Sequence, residues 1–224
     1  MCCQYIAIPL LALLAACEPG APTLVGRSGD TGARGASPLS PSAFATTDGA
    51  LALDNLAGQI DGENRLATYA PLTAKQRAGI IDLIGMRGQF VGRVADYEQA
   101  EALAEQLVRD RPIDGVSFVA RAAARSTFHR FAEALNDLAT AESLGVPPVQ
   151  TERLRAAIFQ ATGHYDDALA IRQRHTAARG DLASMGAEAS VLAERGDIDA
   201  AEQLFREAQF HYRDVSPFPV AWLY

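Results

Sequence analysis

The chain has 224 residues, of which 49% are hydrophobic and 21% charged, the balance of a globular protein with a sizeable core rather than a disordered or membrane-embedded one. A net charge of −7, with Lys75 the single lysine among 20 basic residues, argues against a nucleic-acid partner, because phosphate recognition needs a clustered excess of Lys and Arg. Alanine fills 43 positions, so the composition favours helices.

Residues 5–16 are apolar and uncharged, too short to cross a bilayer as a helix but of the length of a signal-peptide core. They end in Leu14-Ala15-Ala16-Cys17, which resembles the bacterial lipobox. The resemblance implies a lipoprotein signal peptide over residues 1–16 and a lipidated Cys17 as the first residue of the mature chain. Met1-Cys2-Cys3-Gln4 lacks the positive charge usual before such a segment, which points to a start further upstream. With Cys2 and Cys3 removed and Cys17 acylated, no thiol remains, so no disulfide and no CxxC metal or redox site is expected. Each buried acyl methylene contributes roughly 0.8 kcal/mol, and two or more chains anchor a protein stably without a membrane span. By resemblance to enteric lipoproteins, in which Asp after the cysteine favours inner-membrane retention, Glu18 leans the expected address toward the outer membrane.

Residues 17–49 carry the lipid site and then a stretch rich in Gly, Ala, Pro, Ser and Thr without apolar period, read as a disordered linker. Such a segment spans roughly 30 Å and lets the folded part stand off the membrane. Gly26-Arg27-Ser28-Gly29-Asp30-Thr31-Gly32 is not a phosphate loop, since no strand precedes it and no Gly-Lys-Ser/Thr follows. Residues 50–72 read as an N-terminal capping helix, strongest over 51–66, and a loop; residues 73–92 read as a long first helix of the next unit.

From residue 73 to 216 the chain aligns with itself at a spacing of 34, 34 and 33. Tyr97, Phe131 and Tyr165 form an aromatic column that Ile198 continues. Three residues later come Ala100, Ala134, Ala168 and Ala201, and nine before it Gly88, Ala122, Ala156 and Ala189. Gly163 and Gly196 precede their column members by two, and Pro112 and Pro147 close the first two units. Ala95-Asp96-Tyr97-Glu98-Gln99-Ala100, Gly163-His164-Tyr165-Asp166-Asp167-Ala168 and Gly196-Asp197-Ile198-Asp199-Ala200-Ala201 resemble the inter-helix turn of the tetratricopeptide repeat, whose period is 34 residues. The resemblance implies an all-α fold, a right-handed α-solenoid of helix hairpins in four units at 81–114, 115–148, 149–181 and 182–216. Small residues let paired helices close, and the aromatic fills the gap to the next unit. Residues 217–224, Pro-Phe-Pro-Val-Ala-Trp-Leu-Tyr, read as the start of an incomplete fifth unit of a truncated array, or as an apolar tail docking on the last helix pair.

In this family the concave face, lined by the first helix of each unit, grips a peptide. By register that lining would hold Asp82, Gln89, Arg93, Ser126, Gln150, Arg153, Gln160 and Ser190. The Lys and Asn of the chaperone-binding two-carboxylate clamp are missing there. Arg87, Arg121 and Arg155, followed by Glu188, form an arginine ladder just before the small residues, which is either anion-binding or structural, its stems covering apolar surface and its heads pairing with neighbouring carboxylates. Arg172 and His175 fall at apolar columns of the third unit. Ser126 and His129 lack an orienting carboxylate, and the four histidines are not spaced to converge on a metal. No catalytic residue, cofactor or metal centre is expected.

The expected function is therefore a membrane-anchored scaffold or adaptor of the bacterial cell envelope that binds a peptide or protein partner. The alternatives are a truncated fragment of a longer array that self-associates through its apolar C-terminal end, and an accessory subunit of an envelope enzyme.

Overall fold

The structure, a computed structural model, describes residues 46–222. The expected signal peptide, Cys17 and most of the expected linker therefore lie outside the described residues, as do Leu223 and Tyr224 and the side chain of Trp222. Ten helices make up the described chain: α1 (Gly49–Tyr69), α2 (Ala74–Val91), α3 (Val94–Asp110), α4 (Gly115–Thr127), α5 (Phe131–Ser143), α6 (Pro148–Ala161), α7 (Tyr165–Arg179), α8 (Leu182–Arg195), α9 (Ile198–His211) and α10 (Pro217–Trp222). No strand occurs among the described residues, and none of their helices is long and apolar enough to cross a membrane.

Local chemistry accounts for the boundaries. Asp48 caps α1 by accepting from the amides of Ala50 and Leu51. Thr73 and Gln76 close a reciprocal capping box at the start of α2, and Asp181 and Ser184 do the same for α8. Pro148 opens α6, where its missing amide costs nothing. The turns within hairpins are two or three residues long, so α2 pairs with α3, α4 with α5, α6 with α7 and α8 with α9; α3–α4, α5–α6 and α7–α8 contacts then join successive hairpins.

The small-residue columns lie where the helices meet. Ala122, Ala156 and Ala189 are fully buried in the first helices of hairpins two to four, and Ala134, Ala168 and Ala201 are buried opposite them. At Gly88 a Cβ would come within 3.0 Å of Asp96 Cβ and 3.2 Å of the Arg93 carbonyl oxygen, so α3 sits where no larger residue fits. The apolar interior runs from cluster to cluster along the chain. Leu56 and Ile60 of α1 join α2, α3 and α4 in one; Leu138 and Ile158 link α5 to α6; Leu169 and Val191 link α7 to α8; Met185 and Ala208 close α8 on α9. The aromatic column is half-buried at Tyr97, Phe131 and Tyr165, while Ile198 is 59% exposed, because among the described residues no further hairpin covers α9.

Among the described residues of the C-terminal segment, α10 packs on α1, the Phe218 ring stacks on Phe90 of α2 with centroids 3.8 Å apart, and the Thr47 amide donates to the Val215 carbonyl at 2.7 Å. Phe218 covers one face of Phe90, which is half-buried.

Two backbone positions yield predictions. His129 occupies the left-handed turn position, φ 58°, that glycine fills at Gly163 and Gly196. His129→Gly relieves that strain against a small entropic loss and should raise stability by about 0.5 kcal/mol in urea unfolding. At the start of α4, a Cβ on Gly115 would lie 2.6 Å from Val146 Cγ2 and 2.8 Å from the Ala141 carbonyl oxygen. Gly115→Ala should therefore lower stability by about 2 kcal/mol in the same assay.

Candidate functional site

Polar side chains gather along the seam between the first helix of each hairpin and its neighbours. Each ladder arginine projects one residue before a small-column position, and a carboxylate of an adjacent helix meets it. Arg87 of α2 grips Asp96 of α3 with a fork, Nε to Oδ2 at 3.0 Å and Nη2 to Oδ1 at 2.8 Å, and Arg93 adds a contact at 2.9 Å. Arg121 of α4 grips Asp137 of α5 in the same way, at 3.0 and 2.7 Å, and reaches Glu105 of α3 at 3.1 Å. Arg125, one turn on, bridges Asp137 and Glu105, each at 2.9 Å. Arg155 of α6 donates to Glu142 of α5 at 2.7 Å, and Glu142 also accepts from the Thr151 hydroxyl. Beside these, Arg130 ties the α4–α5 turn to Glu101 of α3 and to Glu133.

The electrostatics follow from this pairing. Burial of Asp96 opposes its ionisation, yet hydrogen bonds and charge from Arg87 and Arg93 hold its pKa below the ordinary carboxylate value. The same competition, burial against Arg125 and Arg121, leaves Glu105 lowered. The ladder guanidinium groups are thus engaged by the protein's own carboxylates, and they connect α4 to both its hairpin partner and the preceding hairpin. The partners Asp96, Glu105, Asp137 and Glu142 were not singled out in the sequence, although Asp96 sits one residue before the aromatic column.

The residues assigned to a partner-binding lining scatter. Arg93 is exposed and, with Arg87, borders an open cleft of about 500 Å³ that Leu53, Val91 and Gly92 complete. Gln150 is exposed in the first turn of α6, whereas Gln89, Arg153 and Ser190 are half-buried, Ser190 donating to the Gly186 carbonyl at 3.0 Å. The expectation of exposure fails at two positions. Ser126 is buried where α4 runs into its turn, and its carbonyl accepts the His129 amide at 3.0 Å. Gln160 is 6% exposed because α8 closes over it, its Nε2 donating to Glu194 Oε1 at 2.8 Å. Gln160 and Glu194 are 34 residues apart on adjacent first helices. The structure brings Arg87 and Arg93 together around Asp96 but does not gather the other lining residues into one site.

Asp82 of α2 is half-buried, and burial pushes its carboxyl up to about 7. Among the described residues no group of three or more His, Cys, Asp or Glu could hold a metal ion. Fold and seam together define an all-helical protein of consecutive helix hairpins cross-linked by arginine–carboxylate pairs. No protein-family model matches the chain, and no curated protein matches it significantly.

Two predictions follow from these charges. Arg121→Leu leaves Asp137, 3% exposed, with Arg125 alone, and should cost about 3 kcal/mol in urea unfolding; an unchanged midpoint would mean that the network is solvated. For Asp82, an unfolded carboxyl titrates near 4 while the folded one titrates at about 7. The folded state holds the proton longer, so this group's contribution is greatest below pH ~4 and is lost as pH rises through 7. Burial lowers the His175 pKa, and that acts with the opposite sign, so the readout is the difference from Asp82→Asn. The variant should exceed the wild type in stability by at least about 1 kcal/mol at pH 7.5, with the gap closing toward pH 4.5.

Proposed function

We propose that this chain is a lipid-anchored scaffold or adaptor of the bacterial cell envelope, a tetratricopeptide-type right-handed solenoid that holds a peptide or protein partner against the first helices of its hairpins. The observation that carries the reading is the run of four hairpins in which equivalent small residues are buried at every helix crossing, the arrangement from which stacked helical arrays are built. Gln150 and Arg93, both exposed, supply polar contacts for an extended backbone. The lipobox-like Leu14-Ala15-Ala16-Cys17 supports a tether at Cys17, with the outer membrane the favoured address.

Two measurements test the two halves of the reading. Labelled fatty acid should be incorporated by the full chain and lost on Cys17→Ser, with the protein leaving the membrane fraction; label retained on the variant would contradict the anchor. A partner crosslinked in membranes to the full chain should be lost from a Gln89→Arg, Gln150→Arg variant whose helical circular dichroism is unchanged. Equal crosslinking of both would place binding elsewhere.

A second reading, self-association through the last hairpin, is favoured by the exposure of Ile198 (59%), Phe210 (66%) and Val215 (61%). It predicts a mass that rises with concentration and falls back to the monomer in Phe210→Ser.

A further inference from the structure

Residues 212–222 tie the fourth hairpin to the first. At one end Tyr212 packs against the cluster of Leu182, Met185 and Ala208 between α8 and α9. At the other, the Phe218 ring lies on Phe90 of α2 with the two planes 11° apart. Six peptide units separate Tyr212 from Phe218, and they reach at most about 22 Å, so the intervening hairpins bring α9 and α2 within that distance. Pro219 is buried, and the Val215 carbonyl accepts from the Thr47 amide at the entry to α1. The path between the two anchors is set locally: Asp214 Oδ1 accepts from the Val215 amide at 2.6 Å and from the Ser216 amide at 3.3 Å, and the Tyr212 hydroxyl donates to the Ser216 carbonyl.

This connection can come apart without the hairpins. Arg213, Asp214 and Val215 are exposed. Helix α10 has six residues, too few to hold a helix in isolation, and residues 217–222 carry no charge that could form a salt bridge. The segment fastens to α1 and α2 through the Phe218 stack, Pro219 and the Thr47–Val215 hydrogen bond, whereas the hairpins are joined by buried apolar clusters and forked arginine–aspartate pairs. A segment with so few apolar contacts opens at a lower free energy than the elements it rests on. We propose that residues 212–222 form a releasable strap: docked, it covers one face of Phe90 and steadies α1, and released, it uncovers that face while α2–α9 stay folded. The strap stands whether or not the array holds a polypeptide.

Trp222 is the chain's one tryptophan and belongs to α10, so tryptophan fluorescence anisotropy follows this segment while far-UV circular dichroism follows the hairpins. In urea titrations of the full chain the anisotropy should fall at least about 1 M before the helical signal is lost. Coincident transitions would make α10 part of the main cooperative unit and overturn the strap. Phe90→Ala, 132 residues from the probe, should lower the docked-to-released ratio about 3–10-fold, read as a shift of the anisotropy transition to lower urea. Phe218→Ala should do the same, and the double variant should move the transition little further, because either change removes the same stack. Tyr69→Ala, which deletes an 87% exposed ring from α1, should leave the transition in place. An anisotropy transition that neither Phe90→Ala nor Phe218→Ala moves, or that Tyr69→Ala moves equally, would overturn the proposal. If Phe90→Ala fails to fold, Phe218→Ala, which lies outside the hairpins, and the wild-type titration decide the outcome.

Discussion

Everything in this molecule depends on how closely paired helices approach. Helices separated by large side chains pack at about 10 Å, and those meeting through Gly and Ala come nearer 8 Å. At each crossing this chain places a residue with one methyl group or none: Gly88, Ala122, Ala156 and Ala189 in the first helices, Ala100, Ala134, Ala168 and Ala201 in the second. Close approach gives shape complementarity at little side-chain entropic cost, since Ala and Gly lose no rotamers on burial. The consequence is a thin apolar interior. Ile84, Leu107, Leu138, Ile158 and Val191 are the largest hydrophobic side chains that are almost completely withdrawn from water, and each stabilises the fold by about 1.5–3 kcal/mol.

A thin interior changes what else has to hold the hairpins in order. The arginine–carboxylate pairs sit at the helix seams, where the stems of Arg87, Arg121 and Arg125 cover apolar surface and their heads fix the neighbouring helix. Forked pairs to nearly buried aspartates have a geometry that a shifted helix would break, so they select one register between helices even where their net contribution to stability is small. Arg121 and Arg125 share Asp137 and Glu105, so α3, α4 and α5 are locked as a group. The third hairpin departs from this scheme: Glu152 is held by Arg174, Asp181 just after α7 by Arg179, and the Nε of Arg172 is buried without a hydrogen-bond partner. At the other end, Phe218 on Phe90 brings the last described helix back to the first two.

Helicity, the paired helices and their turns were legible in the sequence because each rests on short-range patterns: the turn glycines Gly163 and Gly196, and small residues recurring at a fixed distance from an aromatic. That His129 takes the backbone conformation of glycine follows from its register with Gly163 and Gly196, once the turn is seen. Side-chain partnerships were less accessible. An arginine column announces charge but not its counter-ion, and Arg121 finds Asp137 across 16 residues and Glu105 across another 16 in the opposite direction. Ser126 and Gln160 occupy first-helix positions that register alone places in a groove, yet a turn and the next hairpin bury them. The return of α10 to α1 joins segments about 170 residues apart, and no local pattern encodes such a contact.

The measurement closest to this account is equilibrium urea unfolding of Ala156→Leu beside Ala170→Leu. Both alanines lie in the third hairpin, the first fully buried at a crossing and the second exposed on α7. Enlarging the crossing residue should force the helices apart and cost about 1–3 kcal/mol, while the exposed replacement should stay within about 0.5 kcal/mol of the parent. If the two variants unfold at the same midpoint as each other, the helices are not held at close approach through these alanines and the account is wrong.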